Sequence, residues 1–437
     1  MSEIKTIDLK HIARVEGYGR LVVDIADKKL SKAEFRVLEG ARFFEGITLG
    51  KHFDEVPVII SRICAICSAS HSVVSTRAVE KALGIEPSKQ THELRKLLIY
   101  SETIQSHVLH EYFLAIPDYL RKPSAIAMAS SHPDLVMRAF HGKGLGNEMQ
   151  RKIGGRAVHP IRNIVGGFSM FPTEEELLAL KKELPKLIDD TLDTIKILAS
   201  IPDQPTIGMK KDYVAICDTN EYGYYDSGTL ARGFGDPFPV EDYQRRLVEE
   251  IRPYSHTKFY TVDGQPQQSF MVGALARLNL NCSLLTEKAK EGLELSGLST
   301  PDYDTYHINM AQLIETVDCA ERALKSIDHF LATGFEVENL DDLDMHAGTG
   351  VAATEAPRGL LIHKYTFDEA LRCTYTDVIT PTAFNQYKME TDCEDLVPRI
   401  ADQPKEEIEL KLNMLIRAYD PCISCSAHNM RLNIDFK

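Results

Sequence analysis

Four cysteines carry the first chemical signal. They stand as two C-x-x-C pairs, one in Arg62-Ile63-Cys64-Ala65-Ile66-Cys67-Ser68-Ala69-Ser70-His71, the other in Asp420-Pro421-Cys422-Ile423-Ser424-Cys425-Ser426-Ala427-His428. A histidine follows each pair within about one helical turn, His71 after Cys67 and His428 after Cys425. Two such pairs offer four thiolates, a full tetrahedral sulfur set for a soft or borderline metal. Between Cys67 and Cys422 lie 354 residues (422 − 67 − 1), whereas a zinc ribbon closes its ligand pairs within roughly 15–20. If the pairs meet, the site ties together the whole fold.

Other residue types invite chemistry less strongly. Glu16, in Arg14-Val15-Glu16-Gly17, reads on its own as a surface carboxylate at a strand start. Glu45 sits in a short aromatic and glycine-rich stretch and reads as a solvated loop residue. His107 and His110 share a helix face and suggest a metal site, but core histidines bonded to neighbours are the commoner case. Arg358, in Thr354-Glu355-Ala356-Pro357-Arg358-Gly359, reads as a surface arginine in a polar turn. Cys217, Cys282, Cys319, Cys373 and Cys393 stand alone and read as small buried hydrophobes.

The elements that must position these residues are mainly helical. Residues 6–39 alternate apolar and polar around Ala26-Asp27-Lys28-Lys29, which predicts a small antiparallel sheet. Helical spacing runs through Val73–Leu83, Thr91–Tyr119 and Asp304–Ala332. Thr173-Glu174-Glu175-Glu176 is a capping box opening a helix to about Ala199, and Lys405–Ala418 forms a last helix. Gly154-Gly155-Arg156-Ala157-Val158-His159-Pro160 predicts a tight loop with left-handed glycine. Residues 211–268 read as an irregular α/β excursion with one helix near Val240–Ile251. The predicted class is α+β, mainly helical, in one domain over 1–437. Its core is helical over 73–200 and 300–335, followed by a metal-binding segment at 420–428 and a short tail at 429–437.

The 437 residues carry a formal net charge of −14 and 43% hydrophobic content. That balance argues against nucleic acid and anionic membrane surfaces as partners. No secretory signal and no apolar run of about 20 residues is visible, so the expected setting is cytoplasmic. No P-loop or dinucleotide-type glycine loop occurs.

The paired motifs, in this order, resemble those of the large catalytic subunit of nickel–iron hydrogenases, and the likeness covers most of the chain. It includes R-x-E-G at Glu16, a Glu 19 positions before the first cysteine (64 − 45 = 19), G-R-x-x-H-P, and E-A-P-R-G at Arg358. It also includes Val378-Ile379-Thr380-Pro381-Thr382. The resemblance implies that Cys64 and Cys422 are terminal ligands on nickel while Cys67 and Cys425 bridge nickel and iron. Iron would carry carbon monoxide and cyanide, surrounded by Pro357, Pro381 and Thr382. Glu45, His428 and the Val378 carbonyl would bind magnesium. His71 would hydrogen-bond a bridging sulfur, and Asp420 would lie close by. The implied reaction is reversible heterolytic cleavage of dihydrogen, with Cys422 or Arg358 as base and Glu16 as first proton relay. Implied partners are an iron–sulfur small subunit, further flavin- or iron–sulfur-containing electron-transfer subunits, and maturation proteins. The wording around the second pair points to the cytoplasmic cofactor-coupled branch.

Two departures stand out. Ala65 replaces a glycine usual in the family, and Ser106 stands where many respiratory relatives carry aspartate. Two rival readings remain at this point, a non-catalytic hydrogenase-fold subunit of a quinone- or NADH-linked complex and a structural zinc protein. Retention of all four cysteines opposes the first, and Glu16, Glu45 and the Arg358 loop oppose the second. Elemental analysis of the purified protein separates them: nickel and iron in equal amounts are expected, against zinc alone or no metal.

Overall fold

The computed structural model describes residues 4–218, 220–225, 228–265, 269–338 and 343–427. Long helices form the body: Lys89–Val108, Pro133–Gly154, Glu174–Ala199 and Ile308–Thr333. Ile308–Thr333 packs on both Glu174–Ala199 and Lys89–Val108, and Lys89–Val108 packs on Pro133–Gly154. Thr173 caps the Glu174–Ala199 helix through the predicted capping box, its hydroxyl accepting the Glu176 N–H. The buried faces of these helices form one large apolar core through Leu98, Ile104, Leu184, Ile195, Leu313 and Val317.

The N-terminal sheet has three antiparallel strands in sequence order, Ile4–Leu9, Gly19–Ala26 and Lys29–Val37. Asp27 and Lys28 at its second turn have φ of 49° and 63°. Both residues are left-handed, which matches the twist of the two strands they join. Among the described residues no helix is long and apolar enough to cross a membrane.

Two expectations need correction. Val240–Ile251 is not a helix: Val240–Asp242 and Tyr243–Arg246 are single turns, and Leu247–Ile251 is a strand paired with Lys258–Val262. Cross-strand pairing overrides the helix-forming residues there. Arg358 does lie in a turn, but it is a buried arginine and not a surface one. Gly348–Ala356, Gly359–Phe367 and Cys373–Ile379 form a three-stranded antiparallel sheet, with Pro357 and Arg358 as the two-residue turn. Most of its residues are buried whichever way they point, so the alternation that marks a half-exposed strand is missing. The helices Ser68–Leu83 and Pro381–Ile400 complete the frame, the first lying across this sheet.

Near the centre the helix beginning at Lys89 widens into a π-helical segment, Leu109–Ala115. His107 and His110 are core histidines, the commoner case, and not a metal site suggested by their spacing. His107 Nε2 lies 2.9 Å from Glu315. His110 Nε2 donates to the Arg417 carbonyl at 2.7 Å, while its Nδ1 faces the Gln312 amide oxygen at 2.7 Å and a Glu111 oxygen at 3.0 Å. Burial alone would strip the second proton from His110, but the charges of Asp420 and Glu111 hold it, up to about 9. A histidine pKa raised in the fold stabilises below its unfolded value near 6.5. That contribution disappears as pH climbs through about 9. Denaturant midpoints between pH 6 and 9.5 should therefore fall more steeply in the wild type than in His110→Gln.

Candidate metal centre

The two cysteine pairs meet. Cys64 Sγ lies 3.3 Å from Cys422 Sγ, Cys67 Sγ lies 3.2 Å from Cys425 Sγ, and Cys422 and Cys425 are 2.8 Å apart. All four sulfurs fall within 4.8 Å of one another and all are buried. Each cross-pair joins residues 358 positions apart, so the two C-x-x-C turns lie side by side in step.

The first turn is set by local bonds and by the helices behind it. The Ile66 and Cys67 N–H groups point at the Cys64 sulfur at 3.3 and 3.4 Å. Cys67 is the N-cap of the Ser68–Leu83 helix, so the first-turn amides of that helix, which lack intrahelical partners, lie beside the site. Glu102, fully buried on the neighbouring helix, accepts the Ala69 N–H at 2.6 Å and the Ser70 N–H at 2.9 Å. Gln105 holds the Ile66 carbonyl at 3.1 Å. The Gly154–Gly167 segment packs directly on this helix. His159 N–H donates to Ser68 Oγ, and Asn163 donates to Ser72 and Thr76. Gly155 takes the expected left-handed φ of 85°, and Gly166 further along takes 86°.

The second turn is clasped by the loop before the second strand. Glu16 pairs with Cys422 as an isolated parallel bridge, its carbonyl accepting the Ile423 N–H at 3.0 Å. Its side-chain Oε2 accepts the Ser424 N–H at 3.0 Å and lies 3.2 Å from Cys422 Sγ. Gly17, at φ 87°, lets the chains close this far, since a Cβ there would lie 2.7 Å from Ile423 Cβ. Arg42 spans the two motifs, donating to the Ile63 carbonyl at 2.7 Å and to the Ser424 carbonyl. Thr382, in the first turn of Pro381–Ile400, accepts the Cys422 N–H at 2.8 Å.

Arg358 hangs from its turn over this junction. Its Nε donates to the Asp420 carbonyl at 2.8 Å and its Nη2 to the Asp420 carboxylate at 3.0 Å. Asp420 takes a left-handed φ of 48° to turn the chain into Pro421 and Cys422. The carbonyls of Ala356 and Pro357 are pinned from below by Arg277, itself paired with Glu315 and Glu355 at zero exposure. Burial opposes the charge on Arg358. Asp420, with the sulfurs of Cys422, Cys67 and Cys64 behind it, more than offsets this and keeps the guanidinium protonated. Burial pushes the Cys422 and Cys425 thiols well up. Cys64 is held well below the usual thiol range by the sulfurs of Cys422, Cys425 and Cys67.

The profile of the nickel-dependent hydrogenase family matches residues 42–141 and 213–428. The chain belongs to that family. The sulfhydrogenase 1 alpha subunit of Pyrococcus furiosus is 35% identical over 98% of both chains. An F420-non-reducing hydrogenase (vhc) subunit of Methanococcus voltae is 28% identical over 97% of this chain and 95% of its own. Among solved structures, an NAD+-reducing [NiFe]-hydrogenase in the H2-reduced state superposes with a TM-score of 0.86 at 24% identity. That match covers 98% of this chain and 100% of the other. The Ni-Fe-Se hydrogenase of D. vulgaris Hildenborough gives 0.76 at 21%, with the same coverage. The fold is that of the hydrogenase large subunit, and the chain is an oxidoreductase acting on dihydrogen.

Of the site residues expected from sequence, the hydrogenase fold gathers Glu16, Cys64, Cys67, Arg358, Thr382, Asp420, Cys422 and Cys425 in one bonded cluster. His71 faces Cys425 at 3.9 Å. Pro357 and Pro381 flank Arg358 and Thr382 in the chain. Glu45 and Val378 also come together, the Val378 N–H donating to Glu45 Oε1 at 3.0 Å. His428 and the 429–437 tail lie outside the described residues. Sequence reasoning missed Arg42, Glu102 and Arg277, whose work depends on contacts no local pattern announces. One signal was present for Arg42: it directly precedes the aromatic stretch around Glu45.

Gly17→Ala should be costly, since both the left-handed φ and the 2.7 Å approach to Ile423 forbid a methyl. A loss of about 2–4 kcal/mol is expected from strain plus overpacking. Denaturant melts read that loss directly, and bound nickel should fall with it.

Proposed function

We propose that this chain is the catalytic subunit of a nickel–iron hydrogenase, with Cys64 and Cys422 as terminal nickel ligands and Cys67 and Cys425 shared with iron. The observation that carries the reading is four buried sulfurs within 4.8 Å, with a carboxylate 3.2 Å from one of them. Thiolates suit nickel and iron. When bound, the metal pair supplies the Lewis acidity that splits dihydrogen heterolytically.

The chain's own residues handle the proton. Cys422 Sγ, as the base, passes it along the 3.2 Å thiol-to-carboxylate contact to Glu16 Oε2. The Ser424 N–H orients that oxygen, so it meets the sulfur without a search. Arg358 serves as a fixed cation beside the reacting space, held by Asp420. Its Nη1 and the Thr380 hydroxyl are buried with no hydrogen-bond partner among the described groups. Orphaned donors of this kind fit small acceptor ligands such as cyanide and carbon monoxide on iron, with Pro357, Pro381 and Thr382 around them. Installing such ligands requires maturation proteins. The Glu45 carboxylate and the Val378 carbonyl would supply oxygen ligands of the type magnesium takes, with a His428 ring nitrogen beside them.

Electrons leave through a partner. Among the described residues the four cysteines are the one group of three or more His, Cys, Asp or Glu side chains with converging ligand atoms. We take an iron–sulfur small subunit as the partner that receives the electrons. Exposed apolar side chains adjoin the motif-clasping residues, Tyr18 after Gly17 and Phe43 after Arg42, with Val58 exposed just ahead of Arg62. We take these exposed side chains as positions for that partner to cover. We assign the chain to the cytoplasmic cofactor-coupled branch that its motif wording suggested, with flavin- or iron–sulfur-containing subunits passing electrons to a soluble acceptor. Its similarity to proteins named as sulfhydrogenase and F420-non-reducing hydrogenase subunits supports a multi-subunit assembly. We read residues 1–437 as one large-subunit domain.

Glu16→Gln keeps an oxygen for the Ser424 N–H and removes the proton acceptor. Metal content and the infrared bands of the iron ligands should stay unchanged. Hydrogen oxidation with an artificial acceptor should fall by roughly 10²-fold or more, the scale of a lost general base. Hydrogen–deuterium exchange with solvent should fall with it. A merely structural Glu16 would cost about 0.5 kcal/mol of stability and leave both activities intact.

A further inference from the structure

Behind the cysteines runs a line of buried polar groups that the reaction described above does not use. His71 and Ser75 lie one turn apart on the Ser68–Leu83 helix, and His363 and Tyr365 lie two apart on the Gly359–Phe367 strand. The helical and strand repeats therefore present each pair on one face, and the two faces interleave. Ser75 Oγ is 2.9 Å from Tyr365 Oη, which is 2.8 Å from His363 Nδ1. His363 Nε2 is 3.2 Å from His71 Nδ1, and His71 Nε2 faces Cys425 Sγ at 3.9 Å. All four residues are at most 1% exposed.

Each contact in such a line needs one proton and one lone pair. The nitrogen–nitrogen contact couples the two rings, because a proton on His363 Nε2 requires a bare His71 Nδ1. Two orders satisfy these four contacts with neutral rings. In one, Ser75 donates to Tyr365, Tyr365 to His363, His363 to His71, and His71 Nε2–H to the Cys425 sulfur. The reverse order needs a proton on Cys425, which a metal-bound thiolate lacks, and would aim a histidine lone pair at a negative sulfur. Burial holds the Tyr365 hydroxyl well above its ordinary pKa, so it remains available as a donor.

We infer that His363 and Tyr365 are positioning residues that lock His71 as its Nε2–H tautomer, so that Cys425 receives a hydrogen-bond donor without any added charge. A donor on a ligand sulfur withdraws electron density from it and raises the potential of the metal it binds. The inference rests on the reading of Cys425 as a metal ligand.

The experiment uses metal-loaded protein with ¹⁵N-labelled histidine. In the wild type, the His71 resonances should show a protonated Nε2 and a bare Nδ1. His363→Leu removes the donor and should shift His71 toward the Nδ1–H tautomer and lower the midpoint potential of the centre. His363→Gln, whose amide N–H reaches the Nε2 position, should restore both. Tyr365→Phe, which keeps the ring, should move both in the same direction as Leu but less far, and it decides the matter if His363→Leu does not fold. A wild-type His71 protonated on Nδ1, or an Nε2–H tautomer and potential unmoved in both variants, would overturn the inference. Absence of nickel and iron from the purified protein would overturn the nickel–iron reading instead. The tautomers can still be read with zinc on the four thiolates, so the two failures remain distinct.

Discussion

Four sulfur atoms crowded into a buried volume less than 5 Å across are the constraint on which the rest of this structure depends. As thiolates they repel. Two like charges 4 Å apart cost about 4 kcal/mol at an effective dielectric of 20, and four of them make six such pairs. Arg358, the amides at the Ile66–Cys67 turn and the helix N-terminus at Cys67 supply positive potential. They amount to little more than one charge, so a multivalent metal is what makes the arrangement stable. The protein's part is to hold the ligands converged, and it does so from both sides at once.

The second cysteine turn shows how. Cys422 and Cys425 belong to the apolar cluster beneath the Arg358 sheet, with Ile63, Val74 and Leu361. Ile423 and Ala427 belong to the large helical core. The segment is thus a wedge between two cores, and apolar burial seats it while polar bonds from Glu16, Arg42 and Thr382 fix its rotation. Neither contribution alone would place a sulfur within a few tenths of an ångström. Burial sets depth without direction, and hydrogen bonds set direction only once the segment is seated.

The ligands were legible in the sequence because C-x-x-C spacing is a local pattern with few other uses, and because motif wording around Glu16 and Arg358 is specific. The long helices were legible from their period and from the Thr173 capping box. The sheet that carries Arg358 was not, since strands such as Gly348–Ala356 are buried on both faces over most of their length and show no alternation. Neither were the buried ions. Arg277 looks like any helical arginine until the fold sets Glu315 and Glu355 against it, and Glu102 looks like an ordinary surface acid until the first motif's helix is aimed at it. Such residues owe their roles to partners remote in sequence, which no window of a few residues contains.

The 358 positions separating each cross-paired cysteine also set a clock. At a synthesis rate of about 5–20 residues per second, Cys64 and Cys67 emerge roughly 20 to 70 seconds before their counterparts. During that interval the first helix, Glu102 and the Gly154–Gly167 segment can already be in place, because their bonds are comparatively local. What then exists is half a binding site, two thiols on a formed scaffold with no opposite wall. A nascent chain in this condition is open to whatever soft cation or oxidant reaches it first. The late-arriving wedge is therefore the step that completes the ligand set, and no metal that needs all four sulfurs can be held before it docks.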